Sequence, residues 1–318
     1  MSKIRLGIVG AGKIAHDHAA AIEKNADCEL CAVADVVAER ASEFAKNGAE
    51  CFTDYKEMCE KVQLDAVILN LPHFLHCEVS KYFLGKGVNV LCEKPMANSV
   101  AECDEMIEAE KKSTAKLAIG HVQRYFRAYD IIREFCKSEE LGKLTRITET
   151  RNIDYFPNRA AWFLDKKLAG GGICMNYGAH SLDKIFYTTG MKVTDVFACM
   201  SNKLTDNDVE AGAQIMFKLE DGVSAMVNYC GCHVPGAYET VFYFTNGAVK
   251  TDYGSNVWIG RNGKYEQLPD DPDKRTFMAR QLDEYVKFLR GEENKMVTPE
   301  YAREVIRVLE AAYKSAGI

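Results

Sequence analysis

A largely apolar run, residues 4–9, leads directly into Gly10-Ala11-Gly12-Lys13-Ile14-Ala15 and then into a helix-like stretch ending near residue 24. This junction constrains the fold more than any other part of the chain. A strand that turns sharply into a helix needs no side chain at the tight point, Gly10. It also needs none where the backbone must approach a pyrophosphate, Gly12, and only a small one where helix meets strand, Ala15. Lys13 and Ile14 open the helix, whose first N–H groups and positive partial charge favour phosphate. Asp35 closes a second strand-like run, residues 30–34, twenty residues after Ala15. An acid there accepts hydrogen bonds from the adenosine ribose hydroxyls. The same carboxylate opposes the extra phosphate of NADP. Val36 and Val37 bring no compensating cation, and Arg40 is the nearest one. The sequence therefore predicts NAD as cofactor, in preference to NADP.

The first 120 residues continue as alternating short apolar runs and helical patterns. Strands are expected at 66–69, 88–91 and 116–119, with helices at 37–46 and 74–84. Ser99 with Glu102 forms a capping box that opens a further helix. Such alternation requires crossover connections, hence a parallel sheet with helices on both faces. After a helix at 124–137 the pattern changes to longer strands at 144–153, 212–219, 223–229, 239–245 and 257–259. Asp221-Gly222 and Asn246-Gly247 mark hairpins. Two helices close the chain, the last capped by Thr298 with Pro299 in its first turn. The expected architecture is α/β: an N-terminal Rossmann domain with a parallel sheet, residues 1–121, then a C-terminal α+β domain with a largely antiparallel open sheet, residues 122–318.

At 318 residues the chain exceeds one ordinary core, which supports two domains. A net charge of −6 argues against nucleic acid as partner. No apolar run reaches the roughly 18 residues of a membrane span, and the first apolar stretch is short for a signal peptide. A cytoplasmic protein is expected. Its twelve cysteines mostly stand singly in apolar segments. Cys28/Cys31 and Cys230/Cys232 lack the turn-flanked spacing of a zinc site, so buried thiols and no metal are the reading. Tyr82 and Lys86 match a Tyr-x-x-x-Lys acid/base pair, but they fall on an early crossover helix and read as a packed tyrosine with a surface lysine.

More informative is Glu93-Lys94-Pro95, at the end of a strand whose carboxyl end points to the ligand crevice of an open parallel sheet. Together with GIVGAGKIA, DAVILNLPHFLH, CEKPMA, GHVQRY and WFLDKKLAGGGICMNYGAHSLD, it makes the chain resemble the Gfo/Idh/MocA (glucose–fructose oxidoreductase/inositol dehydrogenase) family over nearly its whole length. The resemblance implies an NAD-dependent oxidoreductase acting on a secondary hydroxyl of a sugar, cyclitol or sugar acid. It implies a homo-oligomer, dimer or tetramer, assembled through the C-terminal sheet. It also implies that Leu71, Pro72 and His73 line the nicotinamide side and that Glu93 lies near the nicotinamide ribose. Lys94 then reaches ribose and substrate, Gln123 and Trp162 help to hold the cofactor, and Arg124 and Tyr155 contact substrate. His180 takes the place of the catalytic histidine.

One position departs from the pattern. Where the family usually has Asp four residues before that histidine, this chain has Asn176. Four residues put both side chains on one face of a helix. The amide orients a hydroxyl or an imidazole, but it offsets no charge. The expected chemistry has His180 as general base and Lys94 as donor to the developing alkoxide, roles the two can exchange. His121 and His233 are further candidates for a substrate pocket, whereas His16 and His18 read as surface or packing residues. Two rival readings stay open at this stage: a redox-assisted NAD-dependent glycosidase and a non-catalytic dinucleotide-binding regulator.

Overall fold

A computed structural model describes residues 2–157, 159–201 and 207–318. The chain divides into two compact units: residues up to 122 with 275–304, and residues 123–274 with 305–318.

The first unit is built on a six-stranded parallel sheet of β1 (Ile4–Val9), β2 (Cys28–Ala34), β3 (Glu50–Phe52), β4 (Ala66–Leu69), β5 (Asn89–Glu93) and β6 (Leu117–Gly120). The strand order is β3-β2-β1-β4-β5-β6, so the direction of winding reverses between β1 and β4. Ligands of such sheets bind at that reversal, beyond the carboxyl ends of the strands. Helices α1 (Lys13–Glu23), α2 (Ala38–Ser42), α3 (Tyr55–Lys61), α4 (His76–Gly85) and α5 (Val100–Lys111) make the crossovers. Burial on both faces explains why β4 reads as unbroken apolar sequence, every residue of it buried. The helix expected over 37–46 is shorter: α2 stops at Ser42, and a separate 3-10 turn occupies Ala45–Asn47. Ser99 caps α5 by accepting from the Glu102 N–H, while the Glu102 carboxylate reaches back to the Asn98 N–H at 2.9 Å.

The second unit carries α6 (Arg127–Ser138), β7 (Leu144–Asn152), α7 (Lys166–Ala169), α8 (Ile173–Thr189), β8 (Val193–Ser201), β9 (Gly212–Leu219), β10 (Ser224–Cys230), β11 (Ala237–Phe244), β12 (Gly247–Asp252), β13 (Asn256–Arg261) and β14 (Lys264–Gln267). Its eight strands run β14-β13-β12-β11-β7-β10-β9-β8, antiparallel throughout except for β7 beside β10. The hairpins fall where the Gly-containing turns predict them. Asp221 and Gly222 take positive φ between β9 and β10, and the Phe244–Gly247 pair closes β11 onto β12. β9 alternates buried and exposed residues because one face of the sheet packs on α8.

Helix α9 (Phe277–Arg290) belongs with the first unit, and α10 (Pro299–Ala316) is divided, its residues to Glu304 counting with the first unit and the rest with the second. Division in chain order assigns everything after residue 121 to the C-terminal domain. The returning segment 275–304 departs from that order for a local reason: α9 packs on α1, Asn25 donates to Asp283 at 3.0 Å, Arg290 pairs with Asp27, and Ile119 bridges to Val297. Thr298 caps α10 from its side chain to the Tyr301 N–H.

Candidate active site

In the first unit, the residues expected to hold a dinucleotide collect at the carboxyl edge of the parallel sheet. Gly10 has φ +92°, and a Cβ there would lie 2.4 Å from the Asn70 carbonyl oxygen, so the turn accepts only glycine. At Gly12, by contrast, a Cβ would meet nothing within 4 Å. It caps α1 without a side-chain acceptor, leaving the first turn of that helix to face an anion. Ala15 is fully buried where α1 begins, while Lys13 is exposed and Ile14 half-buried.

Asp35 stands just beyond β2. One carboxylate oxygen accepts from the Ala11 N–H at 2.7 Å and the other from the Val37 N–H at 2.9 Å. A carboxylate offers about four acceptor positions, so two remain for hydroxyl donors. Val36 beside it is 89% exposed and carries no charge. These features fit a dinucleotide with a free ribose.

Leu71, Pro72 and His73 follow β4, and His73 is buried. His76 ties this loop to the one after β5, with Nδ1 2.8 Å from the Pro95 oxygen and Nε2 2.9 Å from that of Leu71. Burial pulls its pKa below the ordinary histidine value in spite of both carbonyls. Glu93 ends β5 almost fully enclosed. Its carboxylate receives His18 Nε2 at 3.0 Å and the Lys94 N–H at 3.2 Å. Burial works to raise the Glu93 pKa, but the His18 contact and the Lys94 charge outweigh it and hold the carboxyl below its usual range. His18 is therefore a packing residue with a specific partner, and Lys94, joined to Pro95 by a cis bond, remains half-exposed at the strand end. His16 stays on the surface, stacked on Phe44.

In the second unit, α8 carries the other chemical groups. Its first turn is held by Glu210, which accepts from the Gly172 and Cys174 N–H groups at 2.8 Å each and from the Tyr313 hydroxyl at 2.8 Å. Burial raises the Glu210 pKa, against these hydrogen bonds. A Cβ at Gly171 would lie 1.9 Å from the Tyr313 oxygen, which is why the segment before α8 is glycine. Asn176 and His180 follow on one helical face, each 5% exposed. Tyr155 is fully buried and packs edge-on against Tyr177. Its phenol is pushed up by burial, with the Arg159 charge and the Asn176 amide opposing. Trp162 is half-buried and stacks on Phe163 at 3.7 Å between centroids.

Two expected contact residues turn out to be engaged inside the unit. Arg124, read as a substrate ligand, is buried and grips Asp183 of α8 through Nε and Nη2, beneath the Tyr187 ring. Asp183 balances its charge and ties this segment to α8. Gln123 is buried, with Oε1 3.5 Å from the Tyr238 hydroxyl. His121 is buried in the first unit, whereas His233 lies exposed in the second and pairs with Asp154 at 3.0 Å.

A buried polar cluster between β7 and α8 was not anticipated from the sequence. Glu149 accepts from Ser181, from Lys184 Nζ at 2.6 Å and from Thr240 at 3.2 Å, while Lys184 also donates to Tyr238. Arg151, two residues on, faces the same way. The signal was present in TETRN: a strand placing Glu and Arg on the face that must pack against a helix.

Residues 4–121 match the oxidoreductase family with an NAD-binding Rossmann fold, and residues 129–250 match the GFO/IDH/MocA C-terminal domain. The chain belongs to the Gfo/Idh/MocA family of oxidoreductases. Among its relatives, the rhizopine catabolism protein MocA of Rhizobium meliloti is 25% identical over 98% of this chain and 95% of its own. Glucose-6-phosphate 3-dehydrogenase of Bacillus subtilis is 29% identical over 73% of this chain and 69% of its own. The same fold occurs in the aldose-aldose oxidoreductase of Caulobacter crescentus, solved with glycerol, at TM-score 0.90 and 24% identity over 99% of this chain and 98% of that one. The parallel Rossmann sheet and the largely antiparallel second sheet expected from the sequence are both present, and the cofactor of this Gfo/Idh/MocA protein is NAD. No helix of the described residues is long and apolar enough to cross a membrane.

Proposed function

We propose that this Gfo/Idh/MocA protein transfers a hydride between the nicotinamide of NAD and a carbon bearing a secondary hydroxyl on a sugar, cyclitol or sugar acid. The observation that carries the proposal is the position of Lys94: it follows β5 at the same sheet edge that carries the Gly10–Gly12 turn and Asp35. Bound NAD supplies the hydride acceptor. The protein must bind and orient the alcohol and take its proton. In this account His180 accepts the hydroxyl proton and Lys94 donates to the oxygen as negative charge develops. Asn176 orients the hydroxyl or the imidazole without adding charge. Asp35 favours NAD over NADP by accepting from the ribose hydroxyls. Relatives with sugar-dehydrogenase names support the substrate class.

The assembly we propose is a homo-oligomer through the eight-stranded sheet. Phe197 faces Met216, and Met216 faces Met226, across three neighbouring strands, and all three are exposed. A ladder of this kind suits a self-complementary contact with a second copy. A panel of sugars, cyclitols and uronic acids assayed with NAD tests the catalytic reading. Net NADH formation is expected with at least one member. Release of an aglycone from a glycoside without net NADH would support the redox-assisted glycosidase instead.

A further inference from the structure

We infer that Arg151 receives an anionic group of the substrate, a carboxylate or a phosphate, an inference that rests on the hydride-transfer reading above. Arg151 is 4% exposed, yet its Nε and Nη1 are buried without a hydrogen-bond acceptor. No carboxylate among the described residues stands within ion-pair distance of it. Among the described residues, the other buried Arg and Lys side chains each have their own anion. Lys184 is balanced by Glu149 and Arg124 by Asp183. Arg151 feels Glu149 through space, but Ser181, Lys184 and Thr240 already occupy that carboxylate. Two cations therefore share one anion in the β7–α8 cluster, and Arg151 is the one in excess.

Aromatic rings surround the guanidinium instead. It lies 3.6 Å from the Tyr177 centroid, 4.7 Å from Tyr238 and 5.5 Å from Tyr253. Ring faces stabilise the cation but accept nothing from its in-plane N–H groups. A buried donor left so is unusual in a native protein, and a ligand that brings the acceptor resolves it. A second guanidinium converges on the same tyrosine: Arg159 donates to the Tyr177 hydroxyl at 3.1 Å. Tyr177 stands on α8 next to Asn176 and three residues before His180, so both arginines adjoin the helical turns assigned to the reacting hydroxyl. Asn176 is neutral and adds no negative charge there. The planar guanidinium fork matches carboxylate and phosphate oxygens, and this geometry selects an anion over a neutral polyol.

The test uses two matched comparisons, glucose against glucuronate and glucose against glucose 6-phosphate. Each compound is assayed for NADH formation with NAD and titrated calorimetrically into the NADH-loaded protein. At least one anionic member is expected to bind about tenfold or more tightly than glucose. The arm that responds separates carboxylate from phosphate. Arg151→Gln is expected to bring the anionic-to-neutral ratio close to one, with the loss falling on KM, and Arg151→Lys to restore part of it. Should Arg151→Gln melt early, the half-buried Arg159→Gln is expected to lower the same ratio several-fold. Equal or weaker binding of both anions than of glucose overturns the inference, as does an Arg151→Gln variant that weakens neutral and anionic compounds alike. Anion-selective binding that depends on Arg151 without any NADH would leave the inference standing and overturn the hydride reading. NADH formed without anionic preference would do the reverse.

Discussion

Asn176 and His180 lie one turn apart on the same buried face of α8. The family pattern that the sequence resembles has Asp four residues before the histidine, and this chain has an amide there. Asn176→Asp should favour the imidazolium, so the pH at which kcat/KM for oxidation rises should move upward. On the acidic limb of the profile the variant should lose activity relative to the parent, with a larger loss on a carboxylated substrate than on a neutral one. A pH profile of kcat/KM checks it. An unchanged profile would mean that His180 is not the titrating base.

Asp35 predicts the cofactor preference. Its two oxygens are fixed by the Ala11 and Val37 N–H groups, which aim the remaining lone pairs outward. Kcat/KM should favour NAD over NADP by at least tenfold, and Asp35→Ala should narrow the ratio chiefly by weakening NAD. Kinetics with both cofactors decide it, and a parent enzyme faster with NADP would refute the assignment.

Glu93 predicts an acid sensitivity. Its folded pKa is depressed, so the carboxylate contributes stability that is complete above the unfolded value of about 4.3 and is lost as pH falls through the folded value. Glu93→Gln should cost about 2 kcal/mol at neutral pH, since it weakens a buried charge-assisted contact with His18. The difference in melting temperature between parent and variant should shrink as pH drops below 4. A constant difference would contradict the role given to Glu93.

Much of this architecture was legible because its signals are local. The Gly10 turn, the Thr298 cap and the Asp221-Gly222 hairpin each need only a few neighbouring residues. What escaped the sequence depends on distant partners. Glu210 and Tyr313 meet from 103 residues apart to hold α8. The segment 275–304 joins the first unit through contacts with residues 25, 27 and 119. Glu149 and Arg151 share one face of β7, but the α8 residues that pair with Glu149 there, Ser181 and Lys184, lie more than thirty residues away in sequence. The Arg124–Asp183 pair escaped for the same reason, since nothing near Arg124 in sequence announces Asp183.

The Glu210 clasp should be measurable through α8. Tyr313→Phe removes one hydroxyl that donates to Glu210 and accepts from the Met175 N–H, so a loss of about 1–2 kcal/mol is expected in chemical denaturation. Glu210→Ala leaves two N–H groups of the first turn without an acceptor and should cost more than Tyr313→Phe. Equal or negligible losses would show that α8 is held by its apolar packing alone.

The sheet ladder predicts the assembly. Met216→Lys places a charge between Phe197 and Met226 and should shift the protein toward monomer in light scattering at micromolar concentration. A variant whose mass matches the parent's would place the interface elsewhere.

In the proposed reaction Lys94 acts on the reacting hydroxyl at the sheet edge that carries the dinucleotide turn. Its most direct test is the turnover number of Lys94→Ala on the best substrate of the panel, measured beside its NADH dissociation constant. The expected result is a fall in kcat of at least about a hundredfold with NADH still bound within a few-fold of the parent. A Lys94→Ala enzyme that turns over near the parent rate would contradict it.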